Sequence, residues 1–256
     1  MIKRFTPLLL TLLMLCSKFT LAQQVVPAWG GGADQRDLSF GFTFQYVSND
    51  YKIIKNPNWQ APYPDPVTGQ TLVGPLASIT SKSSPGLAVG FISRYSLTEH
   101  LEVRSTPLLV FSDRSLMFGY YNANANPSSE VTKDGFLERQ VQTTMVEVPL
   151  TLKLKSDRLG NFRMYVMGGL KYSAAISTKK AERDLSPEDK LIKNASHFAS
   201  YEAGIGCDIY FEFFKFSPEL RISNSLGNII VPDDTPYSRP IDKLFLHSLR
   251  FSLYFE

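Results

Sequence analysis

Apolar and polar residues alternate with a period of two along most of this chain. In "LSFGFTFQYV", Leu38, Phe40, Phe42, Phe44 and Tyr46 fall on one face and Ser39, Gly41, Thr43 and Gln45 on the other, the pattern of a strand with one apolar and one polar side. "GLAVGFISRY" sets Leu87, Val89, Phe91 and Tyr95 against Ala88, Gly90 and Arg94. Leu101, Val103 and Ser105 then alternate with Glu102, Arg104 and Thr106, and Leu108 to Phe111 continue that strand with blurred alternation. "VEVPLTLKLK", "NFRMYVMGGLKYS", "SYEAGIGCDIYF", "FKFSPELRIS" and the closing "FLHSLRFSLYF" repeat the pattern. Their apolar faces carry Val146, Leu152, Met164, Tyr201, Ile209, Leu220, Leu249 and Phe255, while Lys153, Lys171, Glu202, Asp208, Arg221 and Arg250 stand opposite.

Eight strands are expected from these runs. The connections alternate between long ones, at about 48–84, 112–138, 176–196 and 224–244, and short ones at Ser96–His100, Ser156–Asn161 and Glu212–Phe213. In an antiparallel meander all long links then lie at one end and all short ones at the other. That asymmetry predicts an all-β fold, an eight-stranded antiparallel transmembrane outer-membrane β-barrel of up-and-down order, with the long loops exterior. A soluble exported sandwich or lipocalin-like barrel would have to bury these large aromatics in a narrow interior. An outward apolar face satisfied by lipid, around a lumen of small and charged residues, accommodates both faces at once.

Composition refines the compartment. "MIKRF", the apolar "TPLLLTLLMLC" and the small residues of "TLA" read as a secretory signal over 1–22, the apolar stretch being too short for a helical span. A periplasmic lead-in over 23–37 and one barrel domain over 38–256 follow. The whole chain has 27 basic and 24 acidic residues; without Lys3, Arg4 and Lys18 the two are equal, so no electrostatic footprint for nucleic acid remains. Only Cys207 then stays as a thiol, which excludes an intramolecular disulfide.

The polar faces nominate Glu102, Arg104, Glu147, Lys153, Arg163, Lys171, Glu202, Asp208, Lys215, Glu219, Arg221 and Arg250 as lumen ion-pair candidates, seven basic and five acidic. Mixed charges facing each other across a narrow lumen pair and plug it. No enzyme is expected: His100, His197 and His247 have no metal-ligand spacing, no GxSxG elbow is present, and no cofactor site is indicated. Among the loops, "NPNWQAPYPDPVTGQ" offers Trp59 and Tyr63 as contact residues, "NANANPSSE" is polar and short-chained, and "STKKAERDLSPEDKLIKN" has the start signals of a short helix at Ser186 and Pro187. "NIIVPDDTPYSRPIDKLF" restrains its backbone with Pro232, Pro236 and Pro240, and Asp233 and Asp234 can hold a turn, leaving Asp242 and Lys243 at the start of the last strand. On physical grounds this segment either staples the last two strands together or presents a preshaped docking surface.

The runs "RMYVMGGLKYSAAISTKK", "YEAGIGCDIYFEFFKFSPELRIS", "VPDDTPYSRPIDKLF" and "FSLYFE" resemble the PorT family, small outer-membrane proteins of the Bacteroidota type IX secretion system. The resemblance implies a non-catalytic accessory or assembly role in exporting folded cargo. It also implies association with the large translocon barrel and no small-molecule substrate. It favours docking for the last long loop, through Pro232, Asp233, Asp234, Pro236, Tyr237, Arg239, Pro240 and Asp242. The alternative from another class is a small-solute or lipid-handling outer-membrane barrel, either a narrow channel or a membrane enzyme.

Overall fold

A computed structural model describes residues 37–65, 68–122, 131–176, 192 and 194–256. The signal segment at 1–22, the lead-in up to residue 36, residues 123–130 of "NANANPSSE" and the helix expected from Ser186 and Pro187 lie outside the described residues. Among the described residues there are twelve strands: β1 (Leu38–Lys55), β2 (Tyr63–Pro64), β3 (Thr71–Val73), β4 (Leu76–Lys82), β5 (Ser84–Ser96), β6 (Leu101–Ser105), β7 (Leu108–Tyr120), β8 (Phe136–Lys155), β9 (Phe162–Ala175), β10 (His197–Tyr210), β11 (Lys215–Ser225) and β12 (Ile241–Phe255).

The eight-stranded up-and-down expectation is corrected by this count and by the pairing. Ten strands form one antiparallel, barrel-like sheet in the order β1-β12-β11-β10-β9-β8-β6-β5-β7-β4, while β2 and β3 make a separate ribbon. Two physical reasons account for the difference. Pro107 has no N–H to give a ladder, so the run from Leu101 to Phe111 breaks into β6 and β7, which both pair with β8 and with β5. The strands also run on into stretches expected to be loop: β1 reaches Lys55, β7 reaches Tyr120, and β4 arises within the first long link.

The sheet joins its ends through β1, which pairs with β12 on one side and with β5 on the other. Side chains follow the pleat. Phe44 lies opposite Leu253 and Val89 on the outside, and Thr43 lies opposite Tyr254 and Gly90 on the inside. Phe40 is 68% and Phe91 75% exposed, whereas Arg94, Arg104, Arg221 and Arg250 are among the largest fully buried side chains. Apolar outside and charged inside is the reverse of a soluble protein, and it fits a wall whose solvent is hydrocarbon. No helix among the described residues is long and apolar enough to cross a membrane.

The wall is not uniform along its height. The pairing of β1 with β5 ends at Asn49 and Ser84; beyond it β1 pairs only with β12 while β4 pairs with β7. The two edges are bridged by the Tyr51 N–H donating to Ser81 Oγ at 2.8 Å and by a 2.7 Å bond between the Ser48 and Ser83 hydroxyls. This split begins where the outward apolar belt of Tyr46, Leu87 and Phe111 gives way to exposed Asp50, Lys52 and Asp113.

At Gly90, a Cβ would strike the Pro107 carbonyl oxygen and press on Leu108, so glycine is required beside the β6–β7 break. Gly90→Val is expected to lower stability by about 1–3 kcal/mol through overpacking and to weaken the heat-resistant compact band on gels. Gly227→Val, at a position with open space around it, is expected to leave that band unchanged.

Candidate functional site

The interior has two regions. Towards the short turns it is a network of ions. Glu102 receives Arg94 and Lys155 at 3.3 Å each, with Lys153 at 3.9 Å, and Lys153 also donates to both oxygens of Asp208 at 2.9 and 3.0 Å. Ser217 adds a 2.6 Å hydrogen bond to Asp208. Lys215 meets Glu256 at 2.8 Å, and Glu256 also pairs with Arg94. Above them, Glu219 takes Arg104, Arg221 and the Tyr165 hydroxyl, while Arg221 reaches Glu202 at 2.7 Å and the Tyr254 oxygen at 2.6 Å. One layer further up, Glu147 lies between Arg250 at 2.6 Å and Lys171 at 3.3 Å.

These contacts follow from strand parity. Glu102 and Lys153 are directly opposed across β6 and β8, and Arg221 and Arg250 across β11 and β12. The second pair places like charges together, so carboxylates from other strands are needed at that height, and Glu202, Glu219 and Glu147 supply them. Cation–π contacts thicken the filling, with Lys153 3.8 Å from the Tyr165 ring and Arg104 4.4 Å from that of Tyr254.

Of the twelve nominated charges, eleven are brought together in this network. Arg163 does different work at the turn end, where Nε donates to the Ser156 carbonyl at 2.5 Å and Nη2 to that of Glu99 at 2.7 Å. Sequence reasoning left out Arg94, Lys155 and Glu256. The signal was available, since Arg94 and Lys155 stand on the polar faces of their runs and Glu256 has the parity of Tyr254 and Ser252.

Towards the long loops the interior turns apolar. Tyr51, Leu116, Phe118, Leu137, Tyr237 and Leu246 belong to one buried cluster to which the β2–β3 ribbon contributes Tyr63 and Val73. The last long loop lies on this cluster rather than projecting from it. Thr235, Pro236, Tyr237, Ser238 and Pro240 are buried, and only Pro232, Asp234, Arg239 and Asp242 of the nominated set are exposed, with Asp233 between. Tyr237 accepts a 3.0 Å hydrogen bond from Arg139, whose guanidinium is 4.7 Å from the ring, and Phe118 lies 5.3 Å away.

Local bonds shape this loop. The Thr235 N–H donates to the Asp233 carbonyl at 3.0 Å and that of Arg239 to the Thr235 carbonyl at 3.1 Å. Asn228 Oδ1 accepts from the N–H groups of Leu244 and Ile230. The first loop is tied to it: Tyr63 donates to the Asp234 carbonyl at 3.0 Å, and the Asn56 N–H to that of Pro240 at 2.9 Å. Burial, with Asp234 beside it, raises the Tyr63 phenol above its usual range, so it remains a neutral donor. Trp59 is partly buried against the cluster, with the Lys55 ammonium 3.9 Å from its ring. Between the two loops is a crevice of about 30 Å³ lined by Trp59, Tyr63 and Pro236, and beside it an open groove of about 390 Å³ edged by Asp233, Asp234 and Asp242.

An inverted wall around a charged interior defines an outer-membrane β-barrel protein. The chain belongs to the family described as outer membrane protein beta-barrel domain, whose model matches residues 33–231. Among curated proteins none matches. Solved structures similar to it include OprG of Pseudomonas aeruginosa, with 13% identity, TM-score 0.46 and 89% of this chain and 96% of that one covered. Neisserial surface protein A shows 9% identity, TM-score 0.38 and coverage of 86% and 98%. AlkL in lipid bilayers shows 11% identity, TM-score 0.34 and 92% coverage of each.

The protein is an outer-membrane β-barrel protein, and no group of three His, Cys, Asp or Glu among the described residues could hold a metal ion. The type IX secretion role, the translocon partner and the Bacteroidota assignment implied by the PorT resemblance are corrected here. The family that the chain matches is the general outer membrane protein beta-barrel domain, and no finding ties the chain to a secretion system.

The network makes a stability prediction. Glu219→Gln leaves Arg104 buried without its carboxylate and Arg221 with Glu202 alone, which is expected to cost about 3–5 kcal/mol in urea unfolding from lipid vesicles. Glu202→Gln, which leaves Arg221 paired to Glu219, is expected to cost less. A second measurement addresses the loops. Tyr237→Ala is expected to destabilise by about 3–5 kcal/mol and to open the last long loop to added protease, whereas Asp234→Ala, at an exposed side chain, changes neither.

Proposed function

We infer that the protein binds an amphipathic small molecule or lipid at its outer mouth and exchanges it sideways with the surrounding leaflet, without conducting along its axis. The observation that carries this reading is the unladdered split between β1 and β4, which lies beside the apolar cluster at the long-loop end. An axial route would have to pass the Glu219, Glu147 and Glu102 layers, where charges are matched at hydrogen-bonding distance. A lateral route avoids them. The split starts at the upper border of the apolar belt, the depth at which an amphiphile keeps its head near water and its tail in hydrocarbon.

In the same reading the lumen charges are a filling that holds the wall rigid. The 232–242 loop, with Trp59 and Tyr63, is a lid seated on the binding region, and the domain responsible is the single barrel of 38–256.

Two experiments test it. Purified protein in planar bilayers is expected to show no discrete conductance steps; ion-selective steps would sink the non-conducting claim. In a Cys207→Ser background, oxidising Ser48→Cys with Ser83→Cys links positions whose hydroxyls are 2.7 Å apart. The oxidised form is expected to slow transfer of a fluorescent fatty acid into vesicles at least tenfold, reversibly with reductant. Equal transfer in oxidised and reduced forms would overturn the lateral route.

A further inference from the structure

Between the ion layers and the apolar cluster runs a belt of short polar side chains. Ser223, Ser248, Asn49 and Ser84 stand in register across β11, β12, β1 and β5, all buried. The layers below contain Arg250, Lys171 and Glu147, and the next inward residues above are Tyr51 and Leu246. The side chains of this belt are shorter than those of the layers on either side, and several of its polar atoms are unmatched. Both amide atoms of Asn49, the hydroxyls of Ser112 and Ser248, and Nε of Arg114 are buried without a hydrogen-bond partner.

Arg114 is the informative member. It is 3% exposed, and its Nη2 meets the Met145 sulfur at 2.8 Å, with the Phe198 ring 6.0 Å away and Tyr51 beside it. Among the described residues no carboxylate lies within ion-pair distance of it. Glu147, whose charge it senses, is already held by Arg250 and Lys171. Arg104, Lys153, Lys171, Lys215, Arg221 and Arg250, by contrast, each face a carboxylate. A buried cation without a counter-ion opposes folding, and water alone solvates it without neutralising it.

We propose that this belt is the head-group site for a carboxylate-headed amphiphile, with Arg114 as its counter-ion; the inference rests on the lateral amphiphile reading. One uncompensated guanidinium calls for one negative charge, and the serine hydroxyls and the Asn49 amide supply neutral donors to the same oxygens. The tail has an apolar neighbourhood: Phe198 packs against both the long-loop cluster and the smaller one formed by Val47, Ala88, Leu108, Val110 and Met145. Access is at hand too, because the Asn49–Ser84 pair is the last rung below the split.

The test compares lauric acid with lauryl alcohol by calorimetric titration into the full-length protein in nanodiscs, with empty nanodiscs as the blank. Wild-type protein is expected to bind the acid about tenfold or more tightly than the alcohol, the scale of a hydrogen bond to a charged group. Arg114→Met is expected to bind both equally and, freed of an uncompensated buried charge, to unfold at higher temperature than ligand-free wild type. Arg114→Lys is expected to retain part of the preference. Equal binding of acid and alcohol by wild type would overturn the carboxylate site while leaving the amphiphile reading standing; binding of neither would overturn both. An acid preference that survives in Arg114→Met would place the head elsewhere and overturn the assignment to Arg114.

Discussion

Everything in this protein depends on how charge is neutralised inside a wall that faces hydrocarbon. A barrel whose outer surface is Phe40, Phe91, Leu150 and Leu170 has no second apolar surface with which to build a core. Its interior must be filled by the other face of each strand, and that face carries arginines, lysines and carboxylates. The interior is narrow, so these ions cannot be solvated independently, and in the lower layers each finds an opposite charge on another strand. The matching of Glu219 with Arg104 and Arg221, and of Glu147 with Arg250 and Lys171, therefore does the work that interdigitating leucines do in a soluble core. The price is specificity, because a one-residue slip of register would turn every one of these charges into lipid.

The same constraint divides the molecule by height. Where hydrocarbon surrounds the wall, the ladder must be closed, and β1 accordingly has a hydrogen-bonded neighbour on both sides. Above the apolar belt that requirement lapses. There the wall parts between β1 and β4, and the interior changes from ionic to apolar around Tyr237, Phe118 and Leu246. A lateral exchange function needs this combination: a charge-filled lower lumen, an apolar region above it, and a discontinuity at the border of the apolar belt.

The inward or outward sense of most residues was legible in the sequence. Period-two parity alone put Phe40, Phe42 and Phe44 outside and Glu102, Arg104 and Arg221 inside, because a pleated strand leaves no other choice. The continuity of the strands was not legible. Pro107 reads as a residue inside a single run, and only the competing partners β5 and β8 reveal that the run is two strands. The loops misled for a related reason. Three prolines and three aspartates look solvent-facing, but Pro236 and Tyr237 are buried, because a proline-restrained turn can be pressed onto an apolar surface at little further cost in entropy. The segments "SPELR" and "VPDDTPYSRP", which carried the PorT resemblance, fill positions that the barrel itself requires: Glu219 and Arg221 face the lumen, and Pro236 is buried at the long-loop end. Arg114 escaped notice because it falls in the stretch expected to be the second long loop, 112–138, whereas β7 runs on to Tyr120 and its pleat turns Arg114 inward and Asp113 outward.

Glu256 closes the ion network by pairing with Arg94 from β5 and Lys215 from β11. In a chain made from its N-terminus, both cations exist before their carboxylate does. Until Glu256 is in place, Arg94 has only one of its two carboxylates and Lys215 lacks the one it meets at 2.8 Å. One carboxylate thus ties β12 to both β5 and β11, an electrostatic latch across the seam where the sheet joins its ends.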